Sequence, residues 1–173
     1  MAVVSEPRWL TETEQQAWRA YLRGGRLLMD ALDRGLARYG LSLSEYEIIS
    51  MLSEAPSRQM RMSELADLVV QSRSRLTHTA TRLEKRGWVV REPCQGDRRG
   101  VLLTLTPEGA HKVGEIAPVH VEQVRHHLID RLSTGEFAAL GEAMGAVVVG
   151  LADISTAITG AVSGAVSAAS DSD

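Results

Sequence analysis

The segment that decides the fold is SRSRLTHTATRLEKRGWVVREPCQGDRRGVLLTLTPEG, residues 72–109. Its first half places Leu76, Ala80 and Leu83 on one stripe and polar or basic residues elsewhere, which predicts an amphipathic helix capped by Ser72. The pattern then changes to alternation, which predicts two strands joined by the loop PCQGDRRG. A polar helix followed at once by a hairpin is typical of a winged helix-turn-helix, whose second helix enters the DNA major groove and whose hairpin tip reaches the minor groove.

The residues before this segment predict three helices. The first has a stripe at helical spacing from Trp18 to Tyr39, with a capping box of Thr11 and Glu14 at its start. The second, short helix is predicted to open with the capping box SEYE, residues 44–47, and to stop before Pro56. After the polar link SRQMR, Ser63 is predicted to cap a third helix, MSELADLV.

The residues after the hairpin predict two long helices. Thr106-Pro107-Glu108 opens the first, which we expect to reach about Arg131 with a kink at Pro118. A capping box of Ser133 and Glu136 opens the second. The predicted fold is therefore mainly α with a small β-hairpin wing, a winged helix-turn-helix flanked by long N- and C-terminal helices.

The charge is concentrated in the same segment. Residues 72–99 hold eight Lys/Arg and three acids, a net charge of +5, whereas the whole chain has −3, so the other residues sum to −8. A basic stretch on an acidic body is typical of a nucleic-acid-binding surface. On charge alone, a solvated helix face explains it equally well.

Length and composition limit the remaining function classes. A chain of 173 residues can bury a core without a disulfide or metal, and the single cysteine, Cys94, fits a reducing compartment. The N-terminus lacks a signal-peptide pattern, and no apolar run approaches the roughly 18 residues of a membrane span. We therefore expect a soluble cytoplasmic protein without a membrane partner.

The order of elements and the run from Ser72 to Gly109 resemble the MarR family, the multiple-antibiotic-resistance regulators. The resemblance rests on RLEKRG at the end of the recognition helix, an Asp-x-Arg element in the wing and LTPEG opening the next helix. It implies a homodimeric transcriptional regulator, in most cases a repressor, that binds pseudo-palindromic double-stranded DNA. Residues 44–106 would form the DNA-binding domain, residues 10–40 and 107–155 the dimerisation region, and residues 156–173 a frayed or disordered tail.

The resemblance also implies roles for particular residues. Arg99 matches the wing arginine of the minor groove, and Asp97 matches the acid that orients it; the recognition helix spans about 72–86 and the wing 88–105. The predicted DNA-binding residues are Ser72, Arg73, Ser74, Arg75, Thr77, His78, Arg82, Asp97, Arg98 and Arg99. The sequence does not decide which arginines read bases and which bind phosphate. Arg82, Lys85 and Arg86 could instead be solvated or bridge to Glu84 and Asp97.

Two further sets of residues follow from the family pattern and from helix amphipathicity. Two long helices with apolar stripes exceed what a small winged-helix core can cover, so the stripes are predicted to bury against a partner chain. The predicted dimer-interface residues are Trp18, Leu22, Met29, Val121, Leu128, Leu140 and Met144. Many family members are released by small phenolic or aromatic carboxylates, and others by oxidation or metal. The candidate contacts for an aromatic acid are Trp9, Trp18, Arg19 and Tyr46, although such residues more often belong simply to the core or the surface.

Other functions have weaker support in the sequence. No two of the five histidines have the i, i+4 spacing of a helical zinc site, so we predict no metal and no cofactor beyond a small aromatic or phenolic effector. Oxidation sensing at Cys94 is disfavoured because the residue falls in the wing. The motifs GxSxG, HExxH, GxxxxGK[ST] and GxGxxG are absent, so no enzyme is predicted. The alternative is a winged helix that binds protein without specific DNA binding.

Overall fold

The computed structural model describes residues 6–94 and 96–170, with backbone alone at 98, 99 and 153–170. Six helices and three strands follow one another along the described chain, together with 3-10 turns at Pro56–Arg58 and Ile129–Arg131. The helices and strands are α1 Glu12–Ala37, α2 Leu43–Glu54, β1 Gln59–Arg61, α3 Met62–Leu68, α4 Arg73–Lys85, β2 Val89–Cys94, β3 Asp97–Leu105, α5 Pro107–His127 and α6 Thr134–Ser170. The predicted helical class with a small wing is confirmed.

The wing is a three-stranded antiparallel sheet in the order β1-β3-β2. The sequence analysis predicted a two-stranded hairpin and treated SRQMR as a link, which was wrong, because Gln59–Arg61 pairs with β3 with Met60 opposite Leu103. The hairpin turn is also shorter than predicted. Cys94 pairs with Asp97, so the Asp97-Arg98-Arg99 triplet begins strand β3 and does not lie in a loop.

The core lies among α2, α3, α4, the sheet, the end of α1 and the first half of α5. The predicted stripe of α4 is confirmed, since Leu76, Ala80 and Leu83 are fully buried. The other fully buried large side chains are Leu36, Ile48, Ile49, Leu52, Leu65, Leu103 and Ile116. Burying a Leu or Ile side chain contributes roughly 1.5–3 kcal/mol each. This shared core fixes α4 and the wing relative to one another.

Three of the predicted helix caps are confirmed and two are wrong. Thr11 with Glu14, Ser72, and Ser133 with Glu136 act as predicted. Helix α2, however, begins two residues earlier than predicted: its capping box pairs Ser42 with Glu45. The side chain of Asp33 accepts a hydrogen bond from the Leu43 amide at 2.8 Å, which ties this helix start to α1.

Helix α3 also begins before the predicted cap. It starts at Met62, and its N-cap is Arg61, which makes no side-chain capping bond, so Ser63 lies inside the first turn. The reason is that β1 runs directly into α3 without a loop. The turn between α3 and α4 holds Val70 at φ +50°, an uncommon backbone conformation for a β-branched residue, with the side chain 90% exposed.

Helices α1 and α5 pack closely at one glycine. A Cβ at Gly35 would overlap the side-chain amide of Gln123, so a larger residue there would require the Gln123 side chain to move. Nearby, the rings of His120 and Tyr46 lie 4.4 Å apart, and burial lowers the pKa of His120 below its ordinary 6.5. The α-helix continues through Pro118 and ends at His127, after which the chain forms a 3-10 turn up to Arg131.

Residues 128–173 form a second compact unit, which contains α6. Its described apolar side chains are largely exposed, including Phe137, Val148 and Leu151. The 19 residues Thr134–Ala152 have a hydropathy of 1.4, so by length and composition this helix is apolar enough to cross a membrane. The expectation of no such segment was wrong because it counted uninterrupted apolar runs, whereas Glu136 and Glu142 interrupt this one. Core helices of soluble proteins satisfy the same criterion but are mostly buried, whereas none of Thr134–Ala152 is buried within the described chain.

Candidate nucleic-acid interface

Helix α4 separates its buried and exposed residues cleanly. One side carries Leu76, Thr79, Ala80 and Leu83, all buried, because these positions recur at the helical period and face α2, α3 and the sheet. The other sides carry exposed polar residues, which are Arg73, Ser74, Arg75, Thr77, His78, Arg82 and Lys85. The predicted DNA-binding residues of α4 therefore lie together on one exposed surface.

Several threonine hydroxyls of α4 donate hydrogen bonds to backbone carbonyls of the same helix. The Thr77 hydroxyl donates to the Arg73 carbonyl at 2.8 Å, and the Thr81 hydroxyl donates to the Thr77 carbonyl at 2.9 Å. Such bonds hold these hydroxyls against the backbone. Ser74 and His78 form neither a side-chain hydrogen bond nor an ion pair within the described part of the chain, so their polar atoms face solvent.

Arg82, one of the predicted DNA-binding residues, forms an ion pair with Glu45 of α2. Its Nε donates to Glu45 Oε1 at 2.9 Å, and Glu45 is 5% exposed while Arg82 is 53% exposed. Burial alone would raise the pKa of Glu45, but hydrogen bonds from Ser42 and Arg82 outweigh burial and hold the pKa below its ordinary 4.5. The pair therefore joins α4 to the start of α2. The suggested bridge from Arg82 to Glu84 or Asp97 was wrong.

Glu84 binds Arg91 of β2 instead. The Arg91 Nε donates to Glu84 at 3.1 Å, and the Arg91 amide donates to the same carboxylate at 3.2 Å. These bonds lower the pKa of Glu84. Arg86 stacks on Trp88, with its guanidinium carbon 5.0 Å from the ring centroid. The end of α4 is thus fixed to the wing by two contacts that involve arginine.

Asp97, at the start of β3, accepts a hydrogen bond from Arg61 Nη1 at 2.8 Å. Sequence reasoning missed Arg61, which lies 36 positions away on β1, and the only available signal was a basic residue in the link SRQMR. Asp97 also makes a further contact. The side chains of Arg98 and Arg99 lie outside the described residues, so their predicted roles stay predictions.

Two cavities open on the flanks of α4. One cavity, of about 530 Å³, lies between α4 and the start of α2. Its lining residues include Ser44, Arg75 and Arg82. The other, of about 360 Å³, lies between α4, α3 and the wing, and Ser63, Arg73 and Asp97 are among its lining residues. Each cavity combines hydroxyl groups and at least one arginine with one aspartate, Asp33 in the first and Asp97 in the second. Both aspartates already accept hydrogen bonds, from the Leu43 amide and from Arg61, and the remaining donors suit anions.

Comparison with known proteins gives one family. Residues 39–100 match the MarR family model, which corresponds to the turn after α1 through the start of β3. Two solved regulators from Streptomyces coelicolor are similar over nearly their whole length. The MarR family regulator AbsC is 43% identical with a TM-score of 0.80, covering 84% of this chain and 98% of AbsC. The MarR family regulator Sco3205, solved in complex with DNA, is 46% identical with a TM-score of 0.81, covering 84% of this chain and 92% of that one.

The chain belongs to the MarR family. A curated relative, the HTH-type transcriptional regulator PecS of Dickeya dadantii, is 37% identical over 102 residues. That match includes 57% of this chain and 61% of PecS, so the chain covers about three fifths of this relative. The order of helices and the wing of this MarR-family chain agree with the resemblance seen in the sequence.

The four residues predicted to contact an effector differ in how exposed they are. Trp9 precedes α1 and is 83% exposed, and Trp18 stacks on Tyr21 with ring centroids 5.8 Å apart. Arg19 is exposed on α1, whereas Tyr46 is buried in the core. None of the four lines either cavity beside α4. Their role in effector binding stays a prediction.

The predicted dimer residues are largely accessible in the single chain. Trp18, Met29, Val121 and Leu140 are exposed, and Leu22, Leu128 and Met144 are half-buried. The exposed large apolar side chains of α1, among them Trp18 and Met29, belong to its first two thirds, while Leu32, Gly35 and Leu36 near its end are buried. Cys94 is buried in the wing, and the described residues contain no group of three metal-binding side chains.

Proposed function

We propose that this chain is a transcriptional regulator that binds pseudo-palindromic double-stranded DNA as a homodimer. Residues 72–86 would enter the major groove, and the wing, residues 88–105, would enter the minor groove. The observation that carries the proposal is α4, whose exposed surface holds four cationic side chains, of which Arg82 is paired with Glu45. The one acid of α4, Glu84, is paired with Arg91 of the wing, which fixes the wing to the helix. The DNA complex of the similar Sco3205 supports the same conclusion.

The dimer would be formed by residues 10–40 and 107–155. Its support is the exposed apolar surface of α1 and of α6, since exposed apolar patches of this extent mark interfaces. Two-fold symmetry would place the two recognition helices about 34–36 Å apart, one turn of DNA.

A small aromatic or phenolic acid would act as effector and release the DNA. We further propose a cytoplasmic protein without catalytic activity or cofactor.

The test is a fluorescence-anisotropy titration with duplex DNA from upstream of the protein's own gene, with excess competitor duplex, at two salt concentrations. We expect tight binding that resists the competitor and weakens steeply with salt, by a log–log slope of about −0.9 per neutralised phosphate. Binding that is absent or insensitive to salt for every upstream fragment would contradict the proposal and favour a protein-binding winged helix.

A substitution in the wing tests the proposed minor-groove contact independently of the major-groove contact. Arg99→Ala should weaken DNA binding about tenfold, because a guanidinium gains most from the negative potential of a narrow minor groove. Sedimentation should show an unchanged dimer, since the start of β3 belongs to no predicted interface. Unchanged DNA affinity would remove Arg99 from the minor-groove contact while leaving the major-groove proposal intact.

A further inference from the structure

The exposed surface of α4 has three distinct parts. Because each residue turns an α-helix by about 100°, Ser74 and His78 lie roughly opposite the buried side formed by Leu76, Ala80 and Leu83. Arg73 and Arg75 lie on the two flanks, about 160° apart around the helix axis. A helix in the major groove presents its outermost side to the base edges and its flanks to the two sugar–phosphate strands.

Each flanking arginine is associated with its own cavity. Arg75 lines the cavity of about 530 Å³ beside α2, and its charge acts on Glu47 of that helix, which places the guanidinium on the α2 flank. Arg73 lines the cavity of about 360 Å³ beside the wing, together with Ser63. Arginine and hydroxyl donors around an open cavity suit a phosphate oxygen.

The outermost side has a different chemistry. His78 is exposed and has no polar partner in the part of the chain that the structure describes, and Ser74 one turn earlier is equally free. Both also border the cavity that Arg75 lines, so their separation from Arg75 rests on their angular position around the helix. A neutral imidazole offers one donor and one acceptor, and a hydroxyl offers both, so this side can distinguish the donor and acceptor patterns of base pairs.

We infer that Ser74 and His78 determine the DNA sequence preference, and that Arg73 and Arg75 bind phosphates on opposite strands without reading bases. The inference rests on the proposed function and divides its recognition helix into named roles. It assigns specificity to two uncharged or weakly basic side chains and affinity to the arginines. The ligand of each flank is a phosphodiester of the DNA backbone.

The experiment begins with a duplex selected by the wild-type protein from a random pool. Anisotropy titrations then use that duplex, all its single-base-pair variants and a scrambled duplex, between about 50 and 200 mM salt, a range over which phosphate contacts change affinity strongly. The variants are Arg73→Gln, Arg75→Gln, Ser74→Ala and His78→Ala. All four residues are exposed, so thermal unfolding should be unchanged and serves as the folding control.

Each arginine variant should weaken binding to every duplex by the same factor, about tenfold. It should reduce the salt slope by about 2, because the dimer loses one phosphate contact in each protomer. His78→Ala and Ser74→Ala should keep the slope and lower discrimination at one or two base-pair positions by about tenfold or more. The inference is overturned if an arginine variant changes the order of base preference, or if the His78 and Ser74 variants weaken all duplexes equally.

Two controls accompany these titrations. Inorganic phosphate, at an ionic strength matched with chloride, should displace DNA no better than chloride does; stronger displacement would show that the flanks hold free phosphate and would overturn the backbone assignment. If the wild-type protein selects no duplex, the proposed function fails and takes the inference with it. A selected duplex with the wrong division of roles contradicts the inference alone.

Discussion

Helices α4 and α6 place their apolar side chains in opposite ways. In α4 the apolar residues Leu76, Ala80 and Leu83 are fully buried, and only polar residues face solvent. In α6 the described apolar residues, among them Val148 and Leu151, are mostly exposed. The winged helix therefore completes its hydrophobic core within one chain, whereas α6 leaves apolar surface that water does not favour. The difference separates residues that maintain the fold from residues that we propose form the dimer.

The strongest test of this comparison removes a core side chain from α4. Leu83→Ala should lower the free energy of unfolding by about 2–5 kcal/mol, because it leaves a cavity in a closely packed core. Denaturant unfolding measures the loss. The matched control is Leu151→Ala in α6, where the side chain is 61% exposed in the single chain. At a concentration where the protein is monomeric, this variant should change the free energy by less than about 0.5 kcal/mol. Equal losses in both variants would contradict the comparison.

The next test addresses the exposed apolar surface of α1. Met29→Glu should weaken the dimer by about 2–4 kcal/mol, because association would bury an unpaired carboxylate. Sedimentation velocity over a concentration series gives the dissociation constant, and DNA affinity should fall with it. Arg23→Glu, about 120° around α1 from Met29 and outside the predicted stripe, is the control and should leave the dimer intact. A Met29→Glu protein that stays dimeric would place the interface elsewhere.

A smaller effect concerns the ion pair that joins α2 to α4. The pKa of Glu45 is lowered, so its contribution is present above pH 4.5 and is lost as the pH falls through the lowered value. Glu45→Gln should reduce the free energy of unfolding by about 1–2 kcal/mol at pH 7 and should flatten its decline below about pH 4.5. Urea unfolding between about pH 3 and 7 tests both. Glu47→Gln is the control, because burial raises the pKa of Glu47 and the variant should not reproduce the loss at pH 7. An unaltered acid decline in Glu45→Gln would show that other carboxylates cause it.

The smallest expected effect lies in the turn between α3 and α4. Val70→Asn should raise the free energy of unfolding by about 0.5–1 kcal/mol, because asparagine accepts the positive φ angle better than a β-branched residue. Val90→Asn, in strand β2, is the matched control and should destabilise. Thermal unfolding of both variants is sufficient. A loss at Val70 would mean that its exposed side chain has a packing role.

The elements that could be predicted from the sequence are those whose start and buried side depend on residues close to one another in sequence. Ser72 begins α4, and the spacing of Leu76, Ala80 and Leu83 specifies its buried side, so the helix could be recognised from one segment. The first capping box of α2 could not be chosen in this way. Ser42 with Glu45 and Ser44 with Glu47 give the same local pattern, and the choice depends on Asp33 and Arg82, which are distant in sequence.

The wing shows the same limit. Strand β1 has three residues, two of them polar, and its only evidence is its pairing with β3 more than 40 positions later. The Arg61–Asp97 pair depends on that pairing and was invisible for the same reason. In the candidate DNA surface, the set of residues was predictable because they share one helix. Their division between the outer side and the flanks required the buried side to be known from the structure.

The contact between Glu45 and Arg82 limits how this protein could be redesigned. Ser74 and His78 could be exchanged to give a new DNA preference with little effect on stability, because they contact neither the core nor the wing. A recognition helix transplanted from another regulator would fold here only at a cost if it lacked an arginine at position 82, since the carboxylate of Glu45, 5% exposed, would lose its cation. A useful graft would therefore replace the outer positions of α4 and retain Arg82 with the buried stripe.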